Sequence, residues 1–357
     1  MASTFENMIP RYDLREQIEA VVFQEPTPSM FLSSFFKGED KFSSAEKIEW
    51  DEVKQGSSMA KYVDENLEVE ATEREPFITR EIESPIVQEK RVLTVAELKR
   101  RQPGENIYSS KTPAQRAQDY TIEDYAICMN AIDARVEQQC ASMMVHGRVD
   151  IIGKGVNRYV DYNLPLKMTL LGSDRWNQSN GDPIFKSLQE MSRVLRKRGH
   201  KPTALLMELS VANIFIKNFE AWKSWLDISR ADLGRLEPGP VTDMFKEAQF
   251  IGQIKYPGIG IIDLYAYDGT YKDENNNEVP YLDEGRVLML SEEALQNYML
   301  YGAVTVIDEN DKFITVEGRY VPEFFTDRRA KTQTIKMTSR PMPVPRKNDS
   351  WWTAKVL

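Results

Sequence analysis

The stretch 112–147, TPAQRAQDYTIEDYAICMNAIDARVEQQCASMMVHG, decides the fold. Thr112-Pro113 has the form of a helix start, because proline at the first helical position gives up an amide that would have no partner there. Thr121 with Asp124 three residues on resembles a capping box and predicts a further start inside the same stretch. Beyond it Tyr125, Met129, Ile132, Val136, Cys140 and Met143 recur at intervals of three and four, the spacing that lines up one helix face. Gly147 ends the pattern. A helix from Ile122 to His146 is roughly 37 Å long at 1.5 Å rise per residue, about the width of a small domain. Such a stripe needs a sheet beneath it, and the whole segment 113–146 reads as the spine of the fold.

Downstream, strand-like runs at Val149–Ile152 and Tyr159–Tyr162 flank Gly153-Lys154-Gly155 and Asn157, a hairpin pattern. Pro183 opens a second amphipathic helix with Ile184, Leu188, Met191 and Leu195, closed by Gly199. Ala204–Met207 after Pro202 reads as a buried strand. From Glu208 a second α+β body is expected: Val211–Phe219 helical, with Ile251–Tyr256, Ile259–Tyr267 and Val287–Leu290 extended. The polar run 268–278 (DGTYKDENNNE) reads as a projecting turn between strands. The tail alternates at Thr332, Thr334, Ile335 and Met337, passes Pro341, Pro343 and Pro345, and ends with Trp351, Trp352, Val356 and Leu357. An end so apolar is expected to be tied down against a core or a neighbour.

Upstream, Val95, Ala96 and Leu98 suggest a short helix stopping near Arg100, Arg101 and Pro103-Gly104. Between about Ala45 and Glu89, Ile48, Trp50, Val53, Tyr62, Val63, Leu67, Val69, Phe77, Ile78, Ile82, Ile86 and Val87 alternate among many glutamates. Two such strands have too little apolar surface to stand alone, so they read as a long protruding hairpin or as the solvated edge of a sheet. From Met1 to about Ser44 short apolar clusters (Val21–Phe23, Met30–Leu32, Phe35-Phe36) lie among prolines. They cannot bury themselves and must lie across another body or another subunit.

Composition sets the outer bounds. At 357 residues the chain exceeds one ordinary core, and a net charge of -9 argues against a protein whose main work is gripping phosphate backbone. The first residues, MASTFENMIPRYDLREQ, lack the apolar core of a signal peptide, and no run approaches the ~18 apolar residues of a membrane span, so a cytoplasmic origin is expected. Cys128 and Cys140 read as free buried thiols. With only His146 and His200 in the chain, a histidine base beside a serine or cysteine is nearly excluded on supply. Gly153-Lys154-Gly155 lacks the spacing of a phosphate loop. Asp150, Asp161 and Asp174 show no calcium-loop spacing and read as solvated carboxylates. The basic group Arg193, Arg196, Lys197, Arg198 and Lys201 complements a helix C-terminus; its functional alternative is a subunit contact or a surface touching nucleic-acid phosphate. No catalytic, cofactor-binding or metal-ligating residue is assigned.

The order of elements, together with FLSSFF at 31–36, SPIV at 84–87, DIIGKG at 150–155, GRVLML at 285–290, Tyr301-Gly302 and SRPMP at 339–343, resembles the lambda-type major capsid protein E family of tailed bacteriophages. The resemblance implies the Hong Kong 97-like α+β capsid fold: an N-terminal arm at 1–44, an extended loop at 45–89 lying on an adjacent subunit, a peripheral domain at 90–207 carrying the spine, an axial domain at 208–320, and a C-terminal return at 321–357. It also implies a non-enzymatic shell protein of the virion, made and assembled in the host cytoplasm. Its partners would be copies of itself in pentamers and hexamers, a scaffold or protease, portal and decoration proteins, and double-stranded DNA held without sequence specificity, with no cofactor and no membrane. Some relatives join subunits through lysine and asparagine side chains; no such pair can be assigned here. An encapsulin-like nanocompartment shell is the alternative of like fold, and a hydrolase or transferase using acidic residues of the second body is the alternative of another class.

Overall fold

The computed structural model describes residues 30–45, 47–53, 62, 77–100, 111–178, 182–218, 239–240, 247–256, 259–273, 277–307 and 312–357. In chain order these form β1 (Lys41–Phe42), β2 (Lys47–Val53), β3 (Phe77–Glu83), β4 (Val87–Thr94), α1 (Val95–Lys99), α2 (Pro113–His146), β5 (Arg148–Gly153), β6 (Val156–Asp161) and β7 (Lys167–Thr169). There follow α3 (Asp182–Lys197), β8 (Pro202–Glu208), α4 (Leu209–Lys217), β9 (Gly239–Pro240), β10 (Ala248–Tyr256), β11 (Gly260–Tyr267), β12 (Thr270–Lys272), β13 (Glu278–Pro280) and β14 (Arg286–Ser291). The chain closes with β15 (Tyr298–Tyr301), β16 (Val304–Ile307), β17 (Phe313–Val316), β18 (Val321–Asp327), β19 (Thr332–Ser339), β20 (Pro341–Val344) and β21 (Trp351–Lys355).

The spine α2 is one continuous helix of 34 residues, about 51 Å long at the usual rise. Its start is set at Thr112, whose hydroxyl accepts from the Gln115 amide while the Gln115 side chain accepts from the Thr112 amide. The expected further start at Thr121 is therefore absent. Thr121 is buried inside the helix, and its hydroxyl donates 2.7 Å back to the Ala117 carbonyl, which satisfies it without breaking the ladder. Gly147 closes the helix in the left-handed region at φ 65°, its amide donating to the Met143 carbonyl.

The main sheet has seven strands in the order β7-β21-β14-β8-β11-β10-β9. Both of its faces are covered. Leu206, Leu288, Leu290, Tyr267 and Trp351 pack with the α2 stripe of Tyr125, Cys128, Ile132, Val136, Cys140 and Met143. Leu205, Met207, Met289, Leu264 and Trp352 pack with Ile184, Leu188, Met191 and Leu195 of α3 and with Val211 and Phe215 of α4. This burial on two sides explains why 204–207 and 287–290 are unbroken apolar runs and not alternating ones. A second antiparallel sheet, β18-β19-β4, lays Leu93, Ile335 and Met337 toward the interior beside α2.

β8 and β21, drawn from the segments expected as peripheral domain and C-terminal return, lie in one sheet with β10, β11 and β14 of the expected axial segment. The reason is long-range pairing: Val287–Leu290 registers with Ala354–Trp351 on one side and with Met207–Ala204 on the other. Of the two alternatives open for the apolar cluster at 31–36, the structure shows the first: it lies on a body of its own chain. Phe31 and Leu32 are buried in their own chain, with the Phe31 ring 5.1 Å from that of Tyr267. The rest of the expected arm, 1–29, lies outside the described residues. The polar run 268–278 also carries more order than a turn, since β12 and β13 pair as a small hairpin.

Candidate assembly surfaces

Three features of this body could make contacts with other molecules. The first is the hairpin of β2 and β3, in register from Lys47–Glu83 to Val53–Phe77 and, among the described residues, paired with no other strand. Between residues 47 and 83 the sequence carries eleven acidic against five basic residues. The hairpin is steadied where it leaves the body by the β5–β6 hairpin: Arg158 pairs with Glu83 at 2.7 Å, and Arg80 donates to the Asp161 carbonyl at 3.4 Å. The Arg158 guanidinium holds the Glu83 carboxyl below its usual range.

The second is the outward face of β18-β19-β4. Register places Phe325, Thr334 and Val92 in one row across the three strands, with Phe325 and Val92 both exposed. Glu323, Lys336 and Lys90 form the next row of that face, and Glu323 pairs with Lys336 at 2.7 Å. Along the two chain segments of this sheet, 87–94 and 321–339, Lys90, Arg91, Arg328, Arg329, Lys331 and Lys336 outnumber Glu89, Glu323 and Asp327. A net positive sheet stands out on a chain of charge -9.

The third is a set of hairpin faces. On β5–β6 the exposed Ile152 and Tyr159 share a face with Arg148, whose guanidinium lies 5.3 Å from the Tyr159 ring centre. On β16–β17 the cross-strand pair Ile307 and Phe313 is exposed, Phe313 at 78%. Between α2 and the β12–β13 hairpin runs a groove of about 470 Å³ lined by Ile132, Arg135, Gln138, Glu89, Tyr271 and Tyr281.

The chemistry singled out in the sequence stays dispersed. Cys128 and Cys140 are buried and unbridged, and burial pushes the Cys128 thiol up to about 11 and that of Cys140 higher than usual. Such thiols are protonated and poor nucleophiles. Each histidine meets a carboxylate. His146 lies 3.5 Å from Asp283, with burial lowering its pKa against the raising effect of that carboxylate. His200 is buried, with Nε2 3.0 Å from Asp349 and Nδ1 3.4 Å from Glu293. Both carboxylates arrive from more than 90 residues away in sequence, so no local signal could have shown them. Asp150 pairs with Arg148 and Asp161 accepts from the Asn163 amide. Among the described residues no three His, Cys, Asp or Glu side chains gather to hold a metal, and no described helix is long and apolar enough to cross a membrane. In the basic group Arg196 donates to the Ile259 carbonyl and Arg198 lies 3.6 Å from Asp349. Sequence reading missed two carboxylates of α2. Asp133 accepts from Arg319 at 2.8 Å and from the Tyr320 hydroxyl, and Glu137 is treated below.

A model of the family described as phage major capsid protein E matches residues 13–356. This chain belongs to that family. Its fold is that of the phage major capsid proteins, mixed helix and sheet around a long helix. The crystal structure described as a prophage capsid protein of E.coli CFT073 superposes with a TM-score of 0.67 over 98% of this chain and 99% of that one, at 16% identity. The capsid of Myoviridae phage XM1 (TM-score 0.47, 9% identity, 94% of each chain) is more distant. So is the holo-SrpI encapsulin complex of Synechococcus elongatus PCC 7942 (0.44, 11%, 100% of this chain and 91% of that), and at such scores neither bears on the reading. No curated protein matches the sequence. The family is one of structural capsid proteins.

Proposed function

We propose that this protein is the major head subunit of a tailed phage, associating into pentamers and hexamers that close into an icosahedral shell around double-stranded DNA, and that it catalyses no reaction. The observation that carries the reading is the β2–β3 hairpin. A two-stranded ribbon is marginal in water, and among the described residues this one pairs only with itself, whereas the residue 30–36 cluster and the C-terminal strand are covered by their own chain. Its negative charge complements the positive β18-β19-β4 sheet, so the hairpin of one copy is suited to lie on that sheet of the next, burying Val92 and Phe325. A scaffold or protease, a portal and decoration proteins complete the assembly in the host cytoplasm. The test is to replace residues 48–82 with a short Gly-Ser turn joining the paired ends Lys47 and Glu83. The variant should keep the melting profile of the unassembled subunit and yield no closed particles by electron microscopy, where the unaltered chain does. Shells of normal size from the shortened protein would overturn the proposal.

A further inference from the structure

Glu137 sits on α2 facing the interior and is fully buried, at 0% exposure. Its Oε1 accepts from the Leu32 amide at 2.6 Å and its Oε2 from the Ser33 amide at 2.9 Å, so one carboxylate holds the turn at 30–36 on the helix. The Tyr267 hydroxyl of β11 donates to Oε1 at 3.2 Å. Every one of these partners is neutral. On the same helix Asp133 lies one turn away, already bound by Arg319 and Tyr320, and the Cys140 thiol lies nearly one turn on. Beyond Tyr267 stand Tyr281 and Glu247, and near Cys140 lie Asp40 and Arg319; none of these is bonded to Glu137. An anion so placed has lost its water and gained no countercharge.

We propose that Glu137 is a proton-controlled latch: protonated, it keeps the 30–36 turn on its own subunit's long helix, and ionised, it frees that turn and the apolar surface beneath it. The geometry allows the protonated form to keep its contacts. A proton on Oε1 can be donated to the Tyr267 oxygen, which turns from donor to acceptor, while the Leu32 and Ser33 amides still find lone pairs. The ionised form keeps the same bonds but stays dehydrated, and opening returns it to water. Burial raises the Glu137 carboxyl from 4.5 to about 7 even against the lowering effect of its hydrogen bonds. The closed state therefore binds the proton more tightly than an open, hydrated one, and opening becomes easier as the pH rises from 4.5 through 7. At tenfold per pH unit, the full change is about 300-fold. Release uncovers Phe31, Leu32 and the Tyr265 and Tyr267 rings, apolar surface that fits a second copy of the chain; this last clause alone rests on the assembly reading above.

Hydrogen exchange of peptides spanning 30–36, measured by mass spectrometry on the full chain before assembly and divided by intrinsic rates, tests the latch whether or not shells form. Exchange at pH 8 should exceed that at pH 5 by about 70-fold, since part of the change is already complete at pH 5, with its midpoint near 7. Glu137→Gln should hold the slow, acid-like rate at both values. Tyr267→Phe, which removes a donor to the anion, should move the midpoint upward. Equal corrected rates at both pH values, or an unchanged pH dependence in Glu137→Gln, would overturn the proposal. Should Glu137→Gln fail to fold, carbon-13 titration of the wild-type carboxyl decides the matter: a midpoint at the ordinary value near 4.5 rejects the latch, and one near 7 with an upward move in Tyr267→Phe supports it.

Discussion

Substituting Trp351 probes the link between the C-terminal strand and the spine. The residue is fully buried in β21, between β7 and β14, and its side chain faces α2. Its indole N–H donates 3.0 Å to the carbonyl of Met144. Met144 lies in the last turn of α2, where carbonyls have no partner further along the helix, so the tryptophan satisfies a group that would otherwise be buried and unpaired. Trp351→Phe keeps most of the apolar volume and orphans that carbonyl, which costs about 2 kcal/mol. Trp351→Ala adds the loss of apolar contact and a cavity, for about 5 kcal/mol in all. Trp352 supplies the control: its side chain enters the opposite core, and its indole nitrogen is buried with no partner among the described residues, so Trp352→Phe gives up no described hydrogen bond and should cost about 1 kcal/mol or less. Urea unfolding of the full chain followed by far-ultraviolet circular dichroism measures all three, with a constant slope confirming that only stability has changed. Trp351→Phe costing no more than Trp352→Phe, or Trp351→Ala costing under about 1.5 kcal/mol, would show that the strand does not cap the spine.

Gly147→Ala should destabilise by about 2 kcal/mol or more, because φ of 65° is strained for alanine and the new Cβ would stand 2.4 Å from the Leu164 Cβ; a lowered melting temperature of the unassembled chain checks it. Global stability should fall as the pH rises from 4.5 through 7, by on the order of 3 kcal/mol, since a buried carboxyl raised to about 7 stabilises the fold only while protonated. Unfolding measured at pH 5 and pH 8 should show this fall in the wild type and a smaller one in Glu137→Gln.

Much of the framework was readable because it is periodic. The apolar rows of α2 and α3 and the unbroken runs of β8 and β14 each report one-sided or two-sided burial through local spacing alone. What failed were features with two local solutions or with distant causes. Both Thr112/Gln115 and Thr121/Asp124 fit a capping pattern, and only the Ala117 carbonyl, accepting from Thr121, shows why the second is not a start. Glu137 looks in the sequence like one more charge on a long helix; its role comes from Leu32 and Ser33, more than 100 residues away. The placement of β21 between β7 and β14 has no local signature, because a tail such as WWTAKVL can be buried against any apolar face.

The self-burial of the 30–36 turn and of the tail changes where the case for assembly rests. Apolar clusters at chain ends would drive association only if their own subunit left them uncovered, and here Phe31, Leu32 and Trp351 are all inside. The weight passes to elements with little core of their own: the acidic β2–β3 ribbon, and the hairpins exposing Ile152 with Tyr159 and Ile307 with Phe313. Surfaces of this kind, half apolar and half charged, are too polar to collapse together indiscriminately, yet they gain when a partner of opposite charge excludes water from them. A subunit must stay soluble until its neighbours arrive and then be held on several sides at once. Hiding the strongly apolar segments within the chain and leaving charge-matched ribbons outside meets both needs.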